Sequence, residues 1–363
     1  MKRPDERAFV RLPALAEQAT TLEKCVFCPK LCRSACPVSN AEPRETLTPW
    51  GKMSMAYFMA RGDVPLEKDF AATAWACTGC KACAKTCEHD NDVAGTLHKT
   101  RAELFTRGYA PEGANEVAAG FREHQASYAA RTAAHQKANA KTALVVGCAY
   151  GEAETADAVA AAEALLGEPV TAISQCCGRP LRSAGDEKAF QENAAAFVRN
   201  IAPYTRVVVV DAGCAETLMR HYPVPVGGEL LLQVAHRQLA RLRPLPGAFE
   251  LGLRFHDPCS LGRGLGVYEA PRDVLTQLAG LAPGEFMYAR DRAACSGGGA
   301  LLPVTMPEVA ARIAETRVKE HEAEGGGTIV TACGSSLRMF RKAGAKAVDL
   351  VTLLRRSTDE PLP

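Results

Sequence analysis

Cysteine placement constrains this chain more than any other feature. The sequence has 15 cysteines in 363 residues, and eight of them form two dense runs. The first is Cys25-x2-Cys28-x3-Cys32-x3-Cys36-Pro37 and the second is Cys77-x2-Cys80-x2-Cys83-x3-Cys87. The other seven stand singly or as one pair, at Cys148, Cys176, Cys177, Cys214, Cys259, Cys295 and Cys333. An odd total in a long chain without an export pattern argues for metal ligation or redox chemistry rather than a disulfide framework. Lys2, Arg3, Arg7 and Arg11 interrupt the first apolar residues before a signal-peptide core could form, so a cytoplasmic location is expected.

The second run has the spacing of a bacterial-type [4Fe–4S] motif. Three closely spaced thiolates wrap one cubane, and the fourth, a turn further on, is directed at a second cluster. Thr78, Gly79, Ala82 and Ala84 keep that loop small, which lets main-chain N–H groups approach sulfide. The first run has the proline expected after its fourth cysteine but carries one extra residue between Cys28 and Cys32. The crossover pattern assigns one [4Fe–4S] cluster to Cys25, Cys28, Cys32 and Cys87 and another to Cys77, Cys80, Cys83 and Cys36. Four thiolates can also hold zinc, which stays open as the alternative. Two neighbouring clusters suit the passage of single electrons.

Around these runs the chain divides by texture. Residues 1–100 read as helical, with a short amphipathic helix from Trp50 to Arg61 ended by Gly62. Residues 101–141 read as a helical connector, solvated rather than functional. From 142 onward, short β-branched strands (Ala143–Val146, Arg206–Asp211, Arg254–His256, Thr328–Thr331) alternate with helical stretches, which predicts parallel sheets. The scattered cysteines recur at offsets of 111, 118 and 119 residues (148 to 259, 177 to 295, 214 to 333). Two related modules, 142–245 and 246–363, follow from that repeat. The expected fold is α+β overall, an N-terminal α-helical ferredoxin-like domain followed by two repeated α/β modules with parallel sheets.

Cys176-Cys177-Gly178 is the informative pair, because adjacent thiolates can bridge or chelate iron and glycine lets the backbone approach closely. With Cys148 and Cys214 it gathers four thiols at strand C-terminal ends, the edge where α/β folds bind ligands. His256, Asp257, Arg179, Arg263 and Arg272 are candidates for tuning nearby thiolates, their ordinary alternatives being a polar turn and surface arginines. Gly297–Gly299 lacks the context of a phosphate loop. A net charge of +2 gives no field for nucleic acid. The apolar runs Thr142–Gly147 and Val207–Val210 fall far short of the roughly 18 residues that cross a bilayer, so membrane association would come only through a partner.

Cys176-Cys177-Gly178, His256-Asp257-Pro258-Cys259-Ser260-Leu261-Gly262-Arg263, Gly266-Val267-Tyr268-Glu269-Ala270-Pro271-Arg272 and Thr331-Ala332-Cys333 together resemble the cysteine-rich CCG-domain family. That family includes the B-type and D-type subunits of heterodisulfide reductase and the glycolate oxidase iron–sulfur subunit. The resemblance implies a two-[4Fe–4S] segment before two CCG modules, and five thiolates per module holding a non-cubane cluster. Here Thr217 stands at the fifth position of the first module, Ala294 precedes Cys295, and Ser336 lies three residues after Cys333. These departures favour electron relay over heterodisulfide reduction.

The expected function is an iron–sulfur electron-transfer subunit of a multi-subunit oxidoreductase, with a further iron–sulfur or zinc centre in the first module. Its partner would be a flavoprotein dehydrogenase or another redox subunit, because the chain has no flavin or nicotinamide fingerprint of its own. Two alternatives stand beside it: a disulfide reductase acting at Cys148, Cys176, Cys177 and Cys214, and a partner-docking scaffold whose CCG modules have lost their metal.

Overall fold

The computed structural model describes residues 9–248 and 251–358. Two compact units divide the chain. A helical unit holds the chain up to Phe121 together with Pro180–Phe190 and Ala294–Ala314. A sheet unit holds Arg122–Arg179, Gln191–Ala293 and the chain from Glu315 onward.

In the helical unit the organising element is the helix Pro49–Arg61. Thr48 caps it by accepting from the Gly51 N–H at 3.0 Å, Pro49 supplies a pre-set φ at the first turn, and Gly62 ends it in the left-handed conformation, φ 86°. The sequence suggested an amphipathic helix, but this one is buried on nearly every side. Met53, Ala56, Tyr57, Met59 and Ala60 all lie within the core, and so does Lys52. Phe9, Leu12, Leu15, Leu22, Trp75, Leu97 and Leu104 pack around them, each fully buried apolar side chain contributing roughly 1.5–3 kcal/mol.

The two excursions from later in the chain are tied in by specific contacts. Trp75 Nε1 donates to the Ala184 carbonyl at 3.1 Å. Arg101 donates to the carbonyls of Ala74, Cys77, Ser183 and Ala300 at 2.8–3.2 Å. Leu301 packs against the helical core. A Cβ on Gly299 would meet the Thr78 carbonyl oxygen at 2.2 Å, so only glycine permits that approach. Gly297 likewise packs closely, a Cβ there coming 2.6 Å from the Ala310 carbonyl oxygen.

The sheet unit contains two four-stranded parallel sheets of the same order. The first is β2-β1-β3-β4, from β1 Thr142–Val145, β2 Val170–Ala172, β3 Arg206–Val209 and β4 Glu229–Leu230. The second is β6-β5-β7-β8, from β5 Leu253–Phe255, β6 Gly284–Glu285, β7 Thr328–Thr331 and β8 Ala347–Asp349. Every residue of β1 is buried, as a strand covered on both faces requires.

The modules meet through paired helix ends within this unit. Asp211 Oδ1 accepts from the Cys214 N–H and Oδ2 from the Gly334 N–H, both at 3.0 Å. One buried carboxylate thereby caps the helix Ala212–Glu216 of the first module and satisfies the start of Gly334–Lys342 of the second. Tyr150 donates its hydroxyl to Asp349 at 2.9 Å, and Arg341 pairs with Glu154 at 2.7 Å.

Candidate metal centres

Two small cavities of similar size lie in the helical unit. Cys36, Cys77, Cys80 and Cys83 line the first. Cys25, Cys28, Cys32 and Cys87 line the other, and Cys83 borders both. With the shared Cys83 counted to the first of these, each cavity takes three cysteines from one run and one from the other.

Local backbone conformation brings the sulfurs inward. Lys30 lies between Cys28 and Cys32, Lys81 lies between Cys80 and Cys83, and both are left-handed, at φ 70° and 61°. A non-glycine residue there costs of order 1 kcal/mol or more, and such residues persist where surroundings over-determine the turn. Gly79, φ 66°, directs its N–H at the Cys77 sulfur, 3.4 Å away. Cys36 stands just before the helix Pro37–Ala41, with Pro37 at its first position.

Burial dominates the thiol electrostatics. It pushes Cys25 and Cys32 up to about 11, with neighbouring cysteines adding to the rise and the Asn91 amide, 3.2 Å from Cys25, opposing it there. Burial also raises Cys83 well above its ordinary value, reinforced by Cys80, Cys77 and Cys36. Crowded thiols of this kind stay protonated unless a cation draws the protons off, which is the donor chemistry of a metal or cluster site. The residues present fit an iron–sulfur cluster in each cavity.

The sheet unit assembles a second thiol group from strand ends. Cys148 follows β1, Cys176 and Cys177 follow β2, and Cys214 follows β3. Cys176 and Cys148 sulfurs are 3.5 Å apart. A hydrogen bond from Cys176, aided by His124 and working against burial, holds Cys148 down to about 6. Hydrogen bonds from Cys176 and Cys214 hold Cys177 well below the ordinary thiol range, and those same bonds raise Cys176 and Cys214. The four sulfurs form one connected string with thiolate character at alternate members. Gly147, φ 119°, makes room for it, since a Cβ there would come 2.7 Å from the Asp211 Cβ.

The helix Phe121–Thr132 belongs to this site, which corrects its reading as a solvated connector. Its Tyr128 and Thr132 are buried. Gln125 donates to the Ser174 carbonyl at 2.7 Å and accepts from the Cys176 N–H at 2.8 Å. Arg131 donates to the Cys148 carbonyl at 3.2 Å. His124 places a ring nitrogen within 4.8 Å of the Cys148 and Cys176 sulfurs, where it could serve as a third ligand. Sequence reasoning missed it because a histidine on a polar, alanine-rich helix carries no spacing signal.

The remaining candidates separate clearly. Arg179 donates to the Gly213 carbonyl at 2.8 Å and to Glu216 at 3.2 Å. Burial works against its charge, but Glu216, Cys259, Asp211 and Cys177 outweigh that and hold it firmly protonated. Burial pushes Cys333 up to about 12, opposed by Ser336, which hydrogen-bonds its sulfur. Thr217 turns its hydroxyl back to the Gly213 carbonyl at 2.7 Å. Arg272 grips both oxygens of Asp257 at 2.8 Å and also Glu285, so this pair is a structural ion pair. The His256 ring packs edge-on against Phe340 and Phe286. Arg263 donates to the carbonyls of Asp291 and Ala293. Cys295 falls in the helical unit, buried, with the Gly297 N–H 3.3 Å from its sulfur.

Comparison with known families agrees with this geometry. The 4Fe–4S dicluster domain matches residues 21–91, and the cysteine-rich domain matches residues 142–219 and 253–341. The chain thus carries a 4Fe–4S dicluster domain followed by two copies of the cysteine-rich CCG domain. It is 25% identical to the D-type subunit of the dihydromethanophenazine:CoB–CoM heterodisulfide reductase of Methanosarcina acetivorans, over 94% of this chain and 95% of that protein. It is also 25% identical to the B-type subunit of the fumarate reductase (CoM/CoB) of Methanothermobacter marburgensis, over 86% of this chain and 66% of that protein. A probable iron-sulfur-binding oxidoreductase of Bacillus subtilis matches at 28% over 48% of this chain and 27% of its own length. Among the described residues no helix is long and apolar enough to cross a membrane.

Proposed function

We propose that this chain is the electron-transfer subunit of a multi-subunit oxidoreductase, carrying two [4Fe–4S] clusters and passing single electrons between them and a partner. The observation that carries this reading is the pair of four-cysteine cavities with Cys83 on the border of both. A shared wall keeps two one-electron centres close, and cluster potentials are set by just such surroundings. One cluster takes Cys25, Cys28, Cys32 and Cys87; the other takes Cys36, Cys77, Cys80 and Cys83. Relatives whose names describe reductase subunits support a redox partner, a flavoprotein dehydrogenase or another redox subunit. Anaerobically purified protein should contain roughly eight irons with matching sulfide from the helical unit. Zinc in their place, or colourless protein without labile sulfide, would overturn the reading.

The thiol string of the first module favours a second role, as a further iron–sulfur or zinc centre on Cys148, Cys176, Cys177 and Cys214 with His124 beside it. Its thiolate character at Cys148 and Cys177 also suits disulfide reduction. In that chemistry two electrons arriving one at a time, with two protons, convert one disulfide into two thiols. Turnover of a disulfide by the isolated chain with an artificial donor separates this activity from pure relay. Cys259 and Cys333 are the second module's ligand candidates within the sheet unit.

A further inference from the structure

Lys52 is only 1% exposed, although it carries an ammonium group. It lies on the helix Pro49–Arg61 and lines the cavity of Cys36, Cys77, Cys80 and Cys83, its Nζ 3.4 Å from the Cys36 sulfur. Among the described residues no carboxylate forms an ion pair with it. A buried cation without a counter-charge is among the costliest features a core can hold. The site supplies that counter-charge only when sulfur ligands and the group they bind are anionic.

Arg101 adds a second cation on the same side. It is buried, and its guanidinium donates to the Cys77 carbonyl at 2.8 Å and otherwise to carbonyls alone. Lys52 and Arg101 are the two charges that oppose the burial of the Cys77 thiol.

The other cavity is built differently. Lys30, which lines it, is partly exposed, lies 3.9 Å from the centre of the Trp50 ring, and is paired with Glu45 at 3.5 Å. Its sulfur Cys25 receives a neutral amide hydrogen bond from Asn91. Reduction adds one negative charge to a cluster, so an uncompensated buried cation in contact with a ligand favours the reduced form, while a solvated, paired cation does so weakly.

We propose that Lys52 is a positioning residue for electrons. By supplying a fixed buried charge beside Cys36, it sets the reduction potential of the cluster on Cys36, Cys77, Cys80 and Cys83 above that of its neighbour, making that cluster the resting place of the electron. Burial by itself would lower that potential; the contact cations reverse the order. An electron delivered by a reduced redox partner to the Cys25-side cluster then passes to the Cys36-side cluster, the first being reoxidised and the second reduced, with no proton transferred. This inference rests on the two-cluster reading above.

The test is a potentiometric titration followed by low-temperature EPR on the full chain, with wild type, Lys52→Gln, Lys52→Arg and Arg101→Gln. Wild-type iron and sulfide content, measured first, separates failure of the two-cluster reading from failure of this one. Lys52→Gln should move the midpoint of the more positive centre to lower potential and leave the other in place. Arg101→Gln should move the same centre by less, and Lys52→Arg should restore the wild-type value. If Lys52→Gln loses half its iron, retention of that iron in Lys52→Arg supports the charge requirement, whereas loss in both shows that side-chain shape decides and overturns it. Unchanged midpoints in Lys52→Gln, or a shift confined to the lower centre, also overturn it.

Discussion

The two thiol systems of this protein solve the same problem in opposite ways. In the helical unit, each cavity is assembled mainly from one short run of sequence, around left-handed turns at Lys30 and Lys81. Those thiols rise in pKa because burial penalises their charge, and they wait for a cation to ionise them. In the sheet unit, the sulfurs come from three strand ends and touch one another, so they share protons and leave thiolate at Cys148 and Cys177. Sequence proximity builds a rigid cage; convergence of strand ends builds a string of coupled thiols whose properties depend on the wall around it.

The largest test of this contrast is Cys83→Ser. Because Cys83 borders both cavities, this variant should lose roughly half of the iron held by the helical unit and stop electron transfer, as read by iron analysis and dye-linked reduction. Full iron with full activity would remove the basis for two coupled clusters.

Cys177→Ser is the matching test for the string. It should leave the EPR signals of the helical unit in place while abolishing any further centre and lowering activity of the assembled complex. Unchanged absorbance and unchanged complex activity would instead mean that the modules serve only to dock a partner.

A pH experiment sharpens the electrostatic half of the comparison. Cys148 is held down to about 6, so in metal-depleted protein its thiolate persists above that pH and is lost as pH falls through it. Iodoacetamide labelling of Cys148, followed by mass spectrometry, should be half-maximal near pH 6. Its half-point should move upward in His124→Gln, which removes one of the groups that lower it. A profile centred near 8.5, the ordinary thiol value, would contradict the hydrogen-bonded string.

The smallest expected effect is on stability. Asp211→Ala removes one acceptor from two buried N–H groups, those of Cys214 and Gly334, and should cost about 2 kcal/mol in denaturant unfolding. Asp211→Asn keeps one acceptor oxygen and should lose less.

Much of the fold was legible. The helix ending at Gly62 was visible because Pro49 and Gly62 punctuate it locally, and β1, β3, β5 and β7 were visible as short strands alternating with helical stretches. The edge strands were harder to see: β4 and β6 are two residues each, too short to show a period. The helix around Lys52 read as amphipathic because its lysine and serine look like a solvent face, whereas the cysteine cavity gives the ammonium a partner. At the sites, Arg179 was singled out correctly beside a thiolate, while Arg272 was occupied by Asp257 and Glu285, whose closeness no spacing announces.

Cysteine spacing alone points to metal–thiolate chemistry in this protein, with the spacing of iron–sulfur ligands. Ligand spacing within a run is a local property of the chain, and the near-constant offset between scattered cysteines is a direct trace of the repeated module. Tertiary structure decided what surrounds those ligands. Packing brought a buried lysine against one cavity and an amide against the other, and laid a polar helix with His124 along the thiol string. The charge felt by a sulfur falls off with distance in space, and distance in space between remote residues is fixed only when the core closes.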